Sequence, residues 1–173
     1  AFTSMKRVLF LVDRNNLGKQ AEGEFGTFRL TENGDPFNII FGVERLKTAK
    51  IPNDVNVVIS TIQRLFSLLS GDDFIDDDNE ADYVVDGTRN MNLPVHPNLP
   101  PDYFDLIIID ECHRSIYGSW RSVLEYFSSA KMIGLTATPA VETLAFFNNN
   151  LIVNYTLEKS IVDGVNVDYR VFR

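Results

Sequence analysis

The residues best suited to chemistry stand at the end of an unbroken aliphatic run. Leu106-Ile107-Ile108-Ile109 stops abruptly at Asp110-Glu111, and Cys112-His113 follow. A run with no polar face suits a strand covered on both sides, as in a parallel α/β sheet. Ligands of such sheets bind beyond the carboxyl ends of the strands, which puts Asp110 and Glu111 on the floor of a crevice. One acid in that place can hold the magnesium ion that bridges nucleotide phosphates, and its neighbour can orient or deprotonate an attacking water. Alone, an Asp-Glu pair at a strand end reads equally well as a cap on the next helix. A second apolar run ends in Gly134-Leu135-Thr136-Ala137-Thr138-Pro139. His113 can couple the carboxylates to Thr136 or Thr138 through a hydrogen bond; the alternative is a partly buried histidine at a helix start.

The elements that must position these groups alternate between strand and helix. Arg7–Val12 reads as a strand, with Asp13 as N-cap of a helix carrying Leu17, Gln20 and Ala21. Residues 23–37 read as connection with a short strand at Phe28–Leu30, Asn38–Gly42 as a further short strand, and Val43–Ala49 as a turn or short helix. Val55–Ser60 is a strand and Thr61 to about Leu69 a helix. Asp105–Ile109 is the central strand. Trp120, Val123, Leu124 and Phe127 fall at i, i+3, i+4 and i+7, one apolar helical face. Lys131–Leu135 reads as a strand, Val141–Phe147 as a helix, Leu151–Thr156 as a strand and Val165–Phe172 as an extended tail. This alternation predicts an α/β fold with a doubly wound, mainly parallel sheet.

Length and composition agree with one soluble domain: 173 residues, 45% hydrophobic, with no apolar stretch near 18 residues and no charged-then-apolar leader. Neither a membrane span nor a secretory signal is expected. Cys112 is the single cysteine, so no intrachain disulfide forms and a cytoplasmic setting is expected. With His96 and His113 it makes a poor zinc set, and packing is its simpler role. The net charge of −8 is concentrated: eight acids and no base lie between Asp72 and Asp86. That stretch is expected to be mobile or held from outside the domain, and to lie away from any nucleic acid because its field repels phosphate. A proline-rich run follows (Pro94, Pro97, Pro100, Pro101). Two strand-to-helix corners offer phosphate contacts. Arg14, with Gln20 six residues further on, suits a nucleic-acid backbone; a solvated Asp-Arg cap is the plainer reading. Ser60, Thr61 and Gln63 offer hydroxyls and an amide, and either hydroxyl can instead be an N-cap.

Asp110-Glu-Cys-His113 with Thr136-Ala-Thr138 resembles the Asp-Glu-x-His box and Thr-Ala-Thr motif of superfamily 2 helicases and translocases. Arg7–Gln20, Ser60–Leu65, Pro101–Ala140 and Phe146–Val167 are similar to the motor (R) subunit of type I restriction enzymes. Over Asp110–Trp120 and Val123–Phe127 the likeness is closer to that family than to helicases at large. The resemblance covers nearly the whole chain, most loosely over residues 23–54 and 71–99. It implies the first RecA-like motor domain of an ATP-driven double-stranded DNA translocase that works with methyltransferase and specificity subunits. It makes residues 71–100 an insertion and 158–173 the start of the connection to a second motor domain. By that resemblance Asp110 binds Mg2+, Glu111 activates water with His113 beside it, both acids meet ATP, and Thr136-Ala137-Thr138 links hydrolysis to DNA movement. Arg14, Gln20, Ser60, Thr61 and Gln63 would hold the DNA backbone.

The chain departs from that family in one respect. It has no G-x-x-x-x-G-K-[ST], since Gly18-Lys19 is followed by Gln20. The phosphate loop is expected upstream of Arg7–Val12, and the arginine finger, second motor domain and nuclease also outside residues 1–173. The isolated chain is therefore expected to be inactive. Other superfamily 2 helicases acting on DNA or RNA, and a non-catalytic interaction module on the same scaffold, are the alternatives.

Overall fold

A computed structural model describes residues 5–51, 53–72 and 92–167. The acidic stretch from Asp73 onward and the end of the tail fall outside them. Among the described residues twelve elements follow in chain order: β1 (Val8–Val12), α1 (Asn15–Thr27), α2 (Phe37–Ile40), β2 (Val43–Arg45), β3 (Val57–Thr61), α3 (Ile62–Ser70), β4 (Leu106–Ile109), α4 (Cys112–Ser115), α5 (Gly118–Tyr126), β5 (Lys131–Gly134), α6 (Val141–Phe146) and α7 (Leu157–Val162). The five strands form one parallel sheet in the order β2-β3-β1-β4-β5. This is the α/β sheet the aliphatic runs predict.

Alternation along the strands sends side chains to two covered faces. On one face Leu9, Leu11, Val58, Ile107 and Ile109 pack with Leu65, Phe66 and Leu69 of α3, Val123 and Leu124 of α5, and Phe127 at the α5 C-cap. On the other, α1 lies so close that a Cβ built on Gly18 would sit 3.3 Å from Arg45 Cδ and 3.5 Å from Val12 Cγ2. Arg45, buried at the sheet edge, donates to Asn15 Oδ1 (2.6 Å) and to Glu22 Oε2 (3.3 Å), and Lys47 reaches Glu22 Oε1 at 2.9 Å. Partial burial works against the Glu22 carboxylate, but these two cations outweigh it and hold its pKa below the ordinary value. No helix of the described residues is long and apolar enough to cross a membrane.

Several local expectations are corrected. Asn38–Gly42 is not a strand: Phe37–Ile40 forms one helical turn, N-capped at Pro36. The Phe37 and Phe41 rings stack at i, i+4 with centroids 4.9 Å apart, and Phe25 packs on Phe37 at 5.4 Å. A short apolar run carries no period of its own, and here aromatic packing selects helix. Val43–Arg45 is the edge strand β2, not a turn or helix. Phe28–Leu30 reduces to a single bridge, Arg29 to Pro36. Leu151–Thr156 has the composition of a strand, but no strand of the described residues pairs with it, and Ile152 and Val153 stand exposed. The α1 N-cap is Arg14, with no side-chain cap; Asp13 is engaged in ion pairs instead. The proline-rich run ends on a fixed point, where Tyr126 Oη donates to Leu99 O (2.7 Å) and Leu99 is fully buried.

Asp105 sets the entry to the central strands. Its Oδ2 accepts the backbone N–H groups of Arg7 (2.9 Å) and Lys6 (2.8 Å), and these bonds hold its carboxyl below the ordinary range. A lowered folded pKa stabilises above the unfolded value, about 3.9, and that contribution is lost as pH falls through the folded one. Asp105→Ala should therefore lower Tm at pH 7, and the gap to the parent chain should narrow below about pH 4. A gap unchanged from pH 7 to pH 3 would contradict this role.

Candidate active site at the carboxyl end of the sheet

Three neighbouring strands stop at one level. Leu11 pairs with Ile109 and Ile109 with Gly134. The residues just past each stop, Asp13-Arg14, Asp110-Glu111 and Leu135-Thr136, are thus gathered along one rim. Asp110 N–H still bonds to Leu11 O (2.8 Å), and its Oδ1 accepts the Glu111 N–H at 3.1 Å. Glu111 then turns the chain with φ 47° and ψ 46°, a left-handed conformation that costs a non-glycine residue roughly 1–2 kcal/mol. The turn lets Cys112 N–H reach Leu135 O at 3.0 Å. Such strain in a residue other than glycine concentrates at functional corners.

His113 ties the acids to the second motif. Its Nδ1 lies 2.9 Å from Thr136 Oγ1 and 3.3 Å from Glu111 Oε2. A carboxylate only accepts, so these partners place the hydrogen on Nδ1, shared between the two oxygens. Thr136 Oγ1 also accepts the Thr138 N–H at 3.0 Å, which folds Thr136-Ala137-Thr138 into a tight turn. The proposed coupling of His113 to Thr136 is thus present as a direct contact. Cys112 is buried beneath, and burial, with the Glu111 and Asp110 charges, pushes its thiol pKa up. It stays protonated at neutral pH and packs.

The second corner behaves differently. Ser60 and Thr61 are 1% and 2% exposed. Ser60 Oγ donates to Thr61 O (3.0 Å), and Thr61 Oγ1 accepts Arg64 N–H as the N-cap of α3. Both side chains are thus buried and hydrogen-bonded within the fold. Gln63 is half-buried, with Oε1 lacking a hydrogen-bond partner. Arg14 stands at the rim with its side chain 69% exposed. Gln20 lines an open groove shared with Val12, Leu17, Phe25 and Asp110. Arg114, which the sequence reading does not single out, ion-pairs with Asp13 from 101 positions away. Only the fold brings those two together.

Asp110 can serve a magnesium ion. Its carboxylate lines the groove and supplies hard oxygens. That donor set suits Mg2+, which takes one or two carboxylates and completes its shell with waters and substrate phosphates.

The profile of the family described as "Type III restriction enzyme, res subunit" matches residues 1–141. The chain belongs to that family. Curated relatives include the type I restriction enzyme EcoAI endonuclease subunit of Escherichia coli, 33% identical over 97% of this chain and 18% of that protein. The EcoKI endonuclease subunit of Escherichia coli K12 is 32% identical over 94% of this chain and 13% of that protein. The SauMSSORF170P endonuclease subunit of Staphylococcus aureus is 28% identical over 95% and 16%. The chain spans less than a fifth of the length of these relatives. Among solved structures, the Hef helicase domain of Pyrococcus furiosus superposes with a TM-score of 0.52 at 22% identity, over 86% of this chain and 28% of that one. That likeness concerns the fold alone: the two chains share a parallel α/β sheet of the same kind. The fold and restriction-family resemblances read from the motifs stand.

Gly134 offers a local test of the packing beneath the rim. A Cβ there would lie 2.6 Å from Phe147 Cζ and 2.8 Å from Cys112 Sγ. Gly134→Ala should destabilise the chain by about 1–3 kcal/mol in denaturant unfolding, the usual range for overpacking. Unchanged stability would show that Phe147 moves aside freely.

Proposed function

We propose that this chain is part of the first motor domain of an ATP-dependent double-stranded DNA translocase in a type I restriction complex. The observation that carries the reading is the shared rim. Asp110 and Glu111, the Thr136–Thr138 turn and Arg14 stand at the ends of three adjacent parallel strands, where such sheets bind ligands. In this reading Asp110 would hold Mg2+, whose chemistry when bound with ATP is to offset charge developing on the transferred group. Glu111 orients the attacking water and takes its proton. His113 holds the Glu111 carboxylate through Nδ1 and, through Thr136, links it to the Thr136–Thr138 turn. Arg14 and Gln20 face the DNA backbone without reading bases, and Gln63 takes a lesser part.

The phosphate loop, second motor domain and nuclease would come from other parts of the parent polypeptide, and methyltransferase and specificity subunits would complete the complex in the cytoplasm. Residues 71–100 would be an insertion and 158–173 the start of the link onward. The identity of the chain to type I endonuclease subunits supports these assignments.

In the parent subunit, Asp110→Asn and Glu111→Gln keep shape and remove charge. Each should cut ATP turnover and DNA translocation by about 100-fold or more, as loss of metal or general-base work does, with Tm nearly unchanged. Normal turnover in either variant would reduce the acids to capping. Residues 1–173 alone should show no DNA-stimulated ATP hydrolysis, because charge on the transferred phosphate needs groups from other segments. Turnover near that of the parent subunit would overturn this division of labour.

A further inference from the structure

The short α4 turn reaches in two directions from consecutive residues. His113 goes to Thr136 beyond β5, and Arg114 goes to Asp13 beyond β1. Among the described residues the last backbone bond between β1 and β4 runs from Asp110 N–H to Leu11 O. Past it, the Arg114–Asp13 ion pair ties the two rims together. Asp13 Oδ2 is shared, since Arg14 Nε lies 3.4 Å from the same oxygen. The Asp13 side chain is only 16% exposed, against 69% for Arg14 and 51% for Arg114. A single, mostly covered anion thus faces two cations that are both open to solvent, Arg14 the more so.

We infer that Arg114 is a positioning residue that carries DNA binding at Arg14 to the hydrolytic acids, through competition for Asp13; this rests on the function proposed above. A DNA phosphate that takes the Arg14 guanidinium removes one of the two partners of Asp13. The full charge of Asp13 is then available to Arg114, and a charge-assisted pair strengthens as its competitor leaves. Arg114 is one residue from His113 and three from Glu111, so a firmer pair steadies the turn that holds both. Arg14 is thereby more than a contact, because its release from Asp13 is the signal. The oxygen count favours this over two independent surface pairs: both arginines meet Oδ2.

The test uses the parent subunit in its complex, with ATP turnover measured across a duplex DNA titration and without DNA. Arg114→Gln should lower the DNA-stimulated fold increase about three- to fivefold, near the top of the range for an exposed pair, while turnover without DNA stays within about twofold. Arg114→Lys, which keeps a point charge, should recover most of the stimulation, and Asp13→Asn should reproduce the loss. If Arg114→Gln fails to fold, Arg114→Lys and Asp13→Asn carry the same comparison. Stimulation equal to the parent in Arg114→Gln and Asp13→Asn overturns the inference. So does an equal loss with and without DNA, which would make the pair merely structural. A parent subunit with ATP turnover but no DNA stimulation would overturn the translocase reading itself, and a parent that is stimulated while the variants are unaffected would overturn only the role of Arg114.

Discussion

The structure depends on one register. Parallel pairing sets Leu11, Ile109 and Gly134 side by side, so three chains leave the sheet at the same height and in the same direction. Because a shift of one residue would send every side chain to the opposite face, the buried set Leu9, Leu11, Ile107 and Ile109 holds that register against α3 and α5. The acids, the threonine turn and the Asp13-Arg14 corner are neighbours as a consequence. No special loop is needed to bring them together.

Above the sheet, the rim is assembled from modest terms that oppose a definite cost. The left-handed Glu111 is unfavourable by roughly 1–2 kcal/mol. Cys112 N–H to Leu135 O, Glu111 N–H to Asp110 Oδ1 and the His113–Thr136 contact each return about 1 kcal/mol in net terms. The sum is enough to keep the corner bent, and the result is a carboxylate aimed by its backbone rather than by a flexible side chain. Gly134 belongs to the same device, since the space a side chain would fill is taken by Phe147 and Cys112.

The sheet was legible where burial on both faces left continuous aliphatic runs. Val8–Val12, Leu106–Ile109 and Lys131–Gly134 fall inside the strands the pattern marked, and Val57–Thr61 differs from its expected bounds by taking in Thr61, read as the first helical residue. Elements decided by contact were not legible. Phe37–Ile40 becomes helix because of ring stacking, Val43–Arg45 becomes strand because β3 offers an edge, and the apolar Leu151–Thr156 has no partner strand among the described residues. At the site, Asp110, Glu111, His113 and Thr136 could be found because strand ends and motif spacing mark them. At Ser60 and Thr61 a hydroxyl at a strand-to-helix corner has the same sequence signature whether it caps or binds, and the structure shows Thr61 as the cap. The pairing of Arg114 with Asp13 gave no signal, since an ion pair across 101 positions exists only in the fold.

The most direct test of the account is a structure of the parent subunit with Mg2+, a non-hydrolysable ATP analogue and duplex DNA. The account predicts a magnesium ion about 2.1 Å from an Asp110 oxygen, with Glu111 beside the water in line with the terminal phosphate. It also predicts the Arg14 guanidinium on a DNA phosphate. A nucleotide bound away from this rim, with Asp110 and Glu111 serving only to start α4, would contradict it.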